Sequence, residues 1–212
     1  MAWDPHSARR RSRSLVGQLE FPQPPDWYPI IERGTLRSLA EVQNRALVGN
    51  VIHNCSYRMP TEYARAWLGT HGLIDDLTPG EVSYLDAMDG GLDPASQGHR
   101  LRVEALWILT WSLSLTPTLD WGAYCADEMA SWLPDLRAQE DPARFRATTT
   151  QRDEAEILDE VDAAYCLTWG CARSNLEGRP EPGRLGQYVM WERRRALEWL
   201  VGDDWDEPEL ST

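Results

Sequence analysis

The stretch that decides the fold is HRLRVEALWILTWSLSL, which occupies residues 99–115. Apolar side chains recur on every face of a helix drawn through this stretch, so no polar stripe is left to face water. A helix of this kind is buried in a core, and this one is shorter than the roughly 20 apolar residues of a membrane span. We therefore expect residues 99–115 to form a central buried helix.

Further helix signals lie on both sides of this stretch. Ser38 with Glu41 and Thr78 with Glu81 have the spacing of a capping box, in which each side chain binds a backbone N–H group at the start of a helix. The apolar periodicity predicts helices at residues 38–55, 62–70, 79–88, 121–137, 150–174 and 187–201, with a connection at residues 139–149. The expected fold is all-α: a single-domain, irregular helical bundle of about six to eight helices around the central apolar helix (residues 99–115).

The first 34 residues differ from the rest of the chain. They contain Arg9-Arg10-Arg11 and Arg13, followed by four prolines between residues 22 and 29. Few apolar residues recur there at a regular spacing, and this composition is typical of a mobile segment. The sequence therefore predicts a flexible Arg- and Pro-rich N-terminal arm at residues 1–34 and a single helical domain at residues 35–212.

Composition restricts the partners and the location of the protein. The net charge of −13 repels phosphate backbones and anionic lipid, so we expect no nucleic acid for the main domain and no membrane. A basic protein is the partner that this charge favours. The four cysteines form no CxxC pair, and no apolar stretch marks export or insertion, so the expected location is a reducing cytoplasm. Neither pattern predicts an oligomeric state.

Single charges lie among the apolar residues of three predicted helices. At helical spacing, Asp162 shares a face with Tyr165 and Trp169, while Glu104 and Arg193 lie among aliphatic side chains. A buried charge without a partner costs several kcal/mol or changes its protonation state. We therefore expect Arg193, and Arg45 as a further candidate, to pair with Glu104 or Asp162.

Two interpretations of these charges stay open. In the first, the charges only hold the helices in one register. In the second, they line a polar pocket that binds a small cationic or polar ligand, or that performs acid–base work on it. The candidate polar cluster, structural or ligand-binding, comprises Glu104, Asp162, Tyr165, Trp169, Glu192, Arg193 and Arg45. The sequence identifies no catalytic residue.

Other chemistries lack a motif. A helical di-metal site uses Glu-x-x-His on two helices, and the chain contains no such motif. His53 and Cys55 alone are too few ligands for zinc. The chain also lacks the G-x-S-x-G, P-loop and dinucleotide-binding fingerprints. We therefore expect no metal and no cofactor, and we favour a protein that is not an enzyme.

A series of short motifs follows a fixed order between residues 40 and 212. The most specific are EALW at residues 104–107 and the ER, W and WD motifs at residues 192–193, 199 and 205–206. The others are Arg45-Ala46, Trp67-Leu68, Leu77-Thr78-Pro79 with Glu81, Trp111, Asp162, Tyr165, Trp169 and Leu197. In this order the motifs resemble the bacterial family of the domain of unknown function 4272. The resemblance implies a mainly helical bacterial protein and brings no established reaction, cofactor or catalytic residue.

Together these observations favour a cytoplasmic helical protein without enzymatic activity. It would bind another protein or act as an accessory, immunity-type protein whose acidic surface meets a basic one. The alternative is a small-molecule-binding protein or an enzyme that uses the candidate polar cluster between helices. A solvent-open cavity lined by the cluster would favour the alternative, and complete pairing without a cavity would favour protein binding.

Overall fold

The computed structural model describes residues 3–31, 34–94 and 98–208, and within these ranges it consists of helices and connections without a strand. This confirms the all-α class. The α-helices are α1 (Pro5–Gln18), α2 (Leu39–Ser56), α3 (Thr61–Thr70), α4 (Pro79–Asp89), α5 (Val103–Ser112), α6 (Met129–Trp132), α7 (Ala143–Thr148), α8 (Glu154–Leu176) and α9 (Gln187–Leu200). Each predicted helix has a counterpart, and α1 and α7 are additional. In the described ranges, no helix has the length and apolar character needed to cross a membrane.

The chain divides into two compact units. Unit 1 comprises Met1–Arg37, Thr118–Tyr124 and Arg152–Thr212. Unit 2 comprises Ser38–Pro117 and Cys125–Gln151, so its sequence is inserted into that of unit 1. The predicted division into one arm and one domain stays a prediction for the chain as a whole.

Helix α1 lies where the composition predicts a flexible arm. The Asp4 side chain accepts a hydrogen bond from the His6 backbone N–H, and Pro5 occupies the first turn, where no N–H is needed. The helix packs on α8 through a stripe that includes Ala8, Ser12 and Val16. For residues 5–18 the prediction of a flexible arm was therefore wrong, because small side chains in this stripe give a weak apolar signal. Residues 1, 2, 32 and 33 of the arm lie outside the described residues.

Helix α8 is the element of unit 1 on which both α1 and α9 pack. Its buried residues recur along the whole helix, from Ile157 to Cys171. At Gly170, an added Cβ would lie 3.2 Å from both a ring carbon of Phe21 and the carbonyl oxygen of Pro22. Gly170 therefore permits the segment after α1 to pack directly against the backbone of α8.

Unit 2 contains two buried helices, α2 and α5, which pack against each other. Residues 104–112 of α5 are all buried, as the apolar stretch predicts. The helix begins at Val103 rather than at residue 99, because residues 98–102 form successive turns in which Leu101 remains exposed. Both predicted capping boxes are present, at the starts of α2 and α4.

The region between α5 and α8 was predicted least well. The expected helix at residues 121–137 is reduced to α6, a single turn, and α7 lies inside the expected connection at residues 139–149. The Asp120 side chain accepts a hydrogen bond from the Gly122 N–H, which holds a turn in place of a helix. The chain also passes from unit 1 to unit 2 between Tyr124 and Cys125, so one continuous helix does not form there.

The capping box of α2 makes a testable contribution to stability. The Ser38→Ala substitution should lower the free energy of unfolding by about 1 kcal/mol, because the Glu41 N–H loses its partner. The control is Ser83→Ala, which removes an exposed hydroxyl bonded to the Pro79 carbonyl inside α4 and should change stability by less than about 0.5 kcal/mol. Urea unfolding measures both, and equal effects would contradict the capping role.

Candidate functional site

Asp162 lies within α8, fully buried, and is bound by Arg9 of α1. The Arg9 Nε donates to the carboxylate at 3.1 Å, and its Nη2 donates at 2.8 Å. The same guanidinium donates to the backbone carbonyls of Tyr28 and Pro29, at 3.0 and 2.7 Å. One buried cation thus binds a carboxylate and two carbonyl groups that would otherwise be desolvated without partners.

Aromatic rings pack beside this ion pair. The Tyr28 ring stacks on that of Tyr165 with 4.5 Å between centroids, and it lies 5.9 Å from the ring of Trp169. Arg194 of α9 contacts two residues of α8: its guanidinium lies 4.8 Å from the centroid of the Tyr165 ring, and it donates to the Thr168 hydroxyl at 2.9 Å. The Tyr28 hydroxyl is buried without a hydrogen-bond partner among the described residues, and burial raises its pKa. The phenol is therefore neutral and does not supply a negative charge.

Arg193 is also fully buried, and it binds the segment 118–124 of unit 1. It donates to the backbone carbonyls of Asp120 and Ala123 at 2.6 and 2.7 Å. Its guanidinium lies 5.5 Å from the ring centroid of Trp121, whose indole N–H donates to Glu160 at 2.6 Å. Arg193 thus satisfies backbone groups of a connection that has no regular secondary structure.

Two further candidates belong to unit 2. Arg45 of α2 forms a buried ion pair with Glu81 of α4, at 2.6 Å. The Glu81 carboxylate also accepts the Thr78 N–H bond of the capping box, so the start of α4 and the side of α2 share one carboxylate. Glu104 of α5 is buried and accepts a hydrogen bond from the Cys125 backbone N–H at 3.1 Å.

The structure therefore distributes the predicted candidates between the units. Arg45 and Glu104 belong to unit 2, and the other five belong to unit 1. Around Arg9 the structure brings together Asp162, Tyr165 and Trp169. Glu192 instead forms an ion pair with Arg195 on α9, at 3.3 Å. That the seven residues form one functional cluster stays a prediction.

We expected Arg193, with Arg45 as a further candidate, to pair with Glu104 or Asp162. Asp162 is bound by Arg9 and Arg45 binds Glu81, whereas a pairing of Arg193 with Glu104 stays a prediction. Helical spacing shows which face a charge occupies, but not which distant segment packs against that face. Four residues important to these networks were missed, namely Arg9, Tyr28, Glu81 and Arg194. For Glu81, the capping-box pattern identified the residue but not its second partner.

Three of the four cysteines are withdrawn from solvent. Cys55, Cys166 and Cys171 are buried free thiols, and burial raises the pKa of each to about 12. Such thiols stay protonated at neutral pH and are poor nucleophiles. In residues 3–31, 34–94 and 98–208, no group of three or more His, Cys, Asp and Glu side chains has the geometry to hold a metal ion.

A groove in unit 2 was not predicted from the sequence. It consists of two adjoining cavities, of about 450 and 600 Å³, which share Asn54, Tyr57, Leu136 and Arg137 in their walls. We call it the α2–α3 groove, because the end of α2 and the start of α3 form one side of it. Neither cavity is lined by any of the seven candidate cluster residues.

The opposite side of the groove is a tightly bonded loop at residues 134–140. The Glu140 carboxylate accepts from the Asp135 N–H at 2.8 Å and from Arg144 Nε at 2.6 Å. Trp67 donates its indole N–H to the Glu140 carbonyl at 3.1 Å, and Asn50 donates to the Pro134 carbonyl at 3.1 Å. These bonds anchor the loop at both ends, so the backbone between them is held in place.

The described residues form an all-helical protein with internally bonded charges and a groove in unit 2. Against known families, the family described as a domain of unknown function, DUF4272, matches residues 8–208. The chain belongs to this family. The match begins earlier than the predicted residue 40, so it includes most of α1 and Arg9. No curated protein and no solved structure matches the chain.

The burial of the Arg9–Asp162 ion pair predicts that substitution of Arg9 lowers the stability of the protein strongly. Arg9→Ala should lower the free energy of unfolding by about 3–5 kcal/mol, because it leaves a buried carboxylate and two carbonyls without donors. The matched control is Arg10→Ala on the same helix, whose side chain is 71% exposed and which should cost less than about 1 kcal/mol. Denaturant unfolding measures both; an Arg9 effect as small as that of Arg10 would contradict a structural role for the ion pair.

The buried position of Glu160 predicts that the stability of the protein depends on pH. Burial raises its pKa above the ordinary value of 4.5, against the opposing hydrogen bond from Trp121, so the folded state binds the proton more tightly than the unfolded state. Its contribution to stability is therefore greatest below pH 4.5 and is lost as the pH rises through the folded-state pKa. Glu160→Gln should raise the stability at neutral pH relative to the wild type, and this difference should shrink towards pH 4. Chemical unfolding across this range tests the sign.

Proposed function

We propose that this protein is a non-enzymatic protein-binding or accessory protein, of the immunity type, whose acidic surface engages a basic partner. The observation that carries the proposal is the arrangement of charge. Buried arginines bind internal groups, whereas many carboxylates remain on the surface. Some surface carboxylates pair with arginines, as Asp86 and Glu156 do, but carboxylates outnumber arginines in the chain and give it a net charge of −13.

The arginines support this arrangement because several are withdrawn from solvent. Arg9, Arg45, Arg193 and Arg194 are at most 8% exposed. Their guanidinium groups bind carboxylates, a hydroxyl or backbone carbonyls inside their own units. A partner therefore meets fewer positive charges than the composition indicates.

The carboxylates of α3, α4 and the turn between them support the proposal from the other side. Glu62, Asp75, Asp86 and Asp89 are exposed in this part of unit 2. Arg65 forms ion pairs with Asp86 and Asp89, so the four carboxylates outnumber the arginine that pairs with them. Exposed apolar side chains occur in the same elements, at Ile74 and Val82. Acidic groups next to apolar side chains suit a partner whose surface is basic and partly apolar.

The alternative function, a ligand site or reaction at the candidate polar cluster, has less support. Asp162 is bound on both oxygens by Arg9, and Arg193 is bound to two carbonyls. Groups that satisfy one another in this way require a rearrangement before they can bind a substrate. The buried thiols stay protonated at neutral pH for the reason given above. These contacts favour a structural role for the charges.

A pull-down at two salt concentrations tests the proposal. The purified protein is immobilised and exposed to extract from its source cells, and we expect a basic protein to be retained at low salt and released at high salt. The Glu62→Gln/Asp75→Asn/Asp86→Asn variant should retain at least about tenfold less of it. The control variant Glu20→Gln/Asp153→Asn/Glu207→Gln removes the same number of exposed charges from unit 1 and should bind like the wild type. Retention that both variants leave unchanged would contradict the proposed surface.

A further inference from the structure

The first cavity of the α2–α3 groove differs in charge from the protein that surrounds it. Its walls contain two arginines, Arg58 and Arg137, and no carboxylate. The Arg137 side chain makes no hydrogen bond or ion pair with the described residues, and Arg58 approaches Asp93 only to 3.8 Å. In a chain of net charge −13, this cavity is therefore a local site of positive potential.

The second cavity adds the carboxylates of Asp135 and Glu140 and the guanidinium of Arg144, so the walls of the two cavities together contain three arginines and two carboxylates. One oxygen of Asp135 accepts from the backbone N–H groups of Arg137 and Ala138, at 2.9 and 3.3 Å. Glu140 is bound by Arg144 and by the Asp135 N–H, and the hydrogen bond from Arg144 holds the pKa of Glu140 below its usual value. Both carboxylates are thus engaged with their own loop, and the guanidinium of Arg137 is the group left for a ligand.

The groove has residues with an unfavourable backbone conformation on both of its sides, which supports a role in binding. Arg58 and Gln139 both line the first cavity, and both have left-handed backbones, with φ of 71° and 52°. This conformation is unfavourable for residues other than glycine, and where the surrounding structure holds it in place it is common at binding sites. At Arg58 the bonds from its own N–H to the Cys55 carbonyl and from the Met59 N–H to the Asn54 carbonyl fix the turn.

The start of α3 brings backbone N–H donors to the first cavity. Pro60 and Tyr63, in the first turn of this ten-residue helix, line the first cavity. No side chain caps the helix at Pro60, so backbone N–H groups at the positive end of the helix dipole remain unbonded by a capping side chain. The helix end therefore offers hydrogen-bond donors beside the two arginines, while the Glu62 carboxylate in the same turn is exposed and does not line the cavity.

Aromatic side chains define the rest of the site. Tyr57 and Tyr63 are 59% and 57% exposed and line the first cavity together with Met59. In the second cavity, the Nδ1 of His53 is buried without a hydrogen-bond partner in the described part of the chain. Exposed tyrosines beside arginines are typical of surfaces that bind planar, partly apolar groups.

We propose that the α2–α3 groove binds a small aromatic carboxylate. The carboxylate pairs with Arg137, with Arg58 adding to the field, and the aromatic body of the ligand packs against Tyr57 and Tyr63. Cavities of about 450 and 600 Å³ have the size of sites for small organic ligands. The proposal goes beyond protein binding. A basic partner is expected to meet exposed carboxylates, whereas the groove binds its negatively charged ligand through arginines.

A comparison of two probes of matched shape tests the charge requirement. Phenylacetate and phenylacetamide share a ring and differ in charge, and each is titrated into the isotopically labelled full-length protein and followed by NMR. We expect phenylacetate to shift the amide signals of residues 53–63 and 134–140 in a saturable manner, and phenylacetamide to bind at least about tenfold more weakly. Equal binding of the two probes, or no saturable shift with phenylacetate, would overturn the proposal.

Two arginine variants locate the binding to the groove. Arg137→Gln should weaken phenylacetate binding by at least about tenfold, whereas Arg184→Gln, which changes an exposed arginine of unit 1, should leave it unchanged. Because Arg137 is exposed and its side chain is unbonded, its variant should unfold at the same temperature as the wild type. Binding that is equally strong in both variants would place the ligand elsewhere. The result is independent of the pull-down, since the acid-to-amide variants retain every residue of the groove.

Discussion

The buried guanidinium of Arg9 joins three parts of unit 1 that lie far apart in the sequence: α1, residues 28–29 and α8. Residues 28–29 and α8 supply acceptors that would be costly to bury without a donor, and the guanidinium from α1 supplies donors in a rigid planar arrangement. Its position also places Tyr28 on Tyr165, and that ring in turn carries Arg194 of α9. The packing of helices in unit 1 thus depends on polar contacts as well as on its apolar residues.

How much could be predicted from the sequence depended on the distance between interacting residues. The capping boxes at Ser38 and Thr78 join residues three positions apart, and both were predicted in full. The apolar stretch at residues 99–115 likewise carries its own evidence for burial. Asp162 was recognised as a charge that needs a partner, but Arg9 is 153 residues away. The start signal of α1, Asp4 followed by Pro5, was present but lay within a composition typical of disorder.

The α2–α3 groove could not be predicted for a related reason. Its walls come from the end of one helix, the start of the next and a loop about 80 residues later in the sequence. The loop is held by bonds among Asp135, Glu140 and Arg144, residue types that in sequence are typical of any exposed connection. Arg137 has no distinguishing neighbours in the sequence, and it becomes notable only because the carboxylates around it are already bonded. Whether a side chain is free to bind a ligand depends on its contacts in the folded chain and cannot be read from its residue type.

The insertion of unit 2 between the segments of unit 1 has a consequence for synthesis of the protein. Helix α1 leaves the ribosome before α8 does. Asp162, the partner of Arg9, follows 153 residues later, and at 5–20 residues per second translation of this interval takes on the order of 10–30 s. During that interval unit 2, whose two segments end at Gln151, is completed before α8 emerges. Helix α1 must therefore stay without the partner of Arg9, and accessible to chaperones and proteases, until α8 has been made.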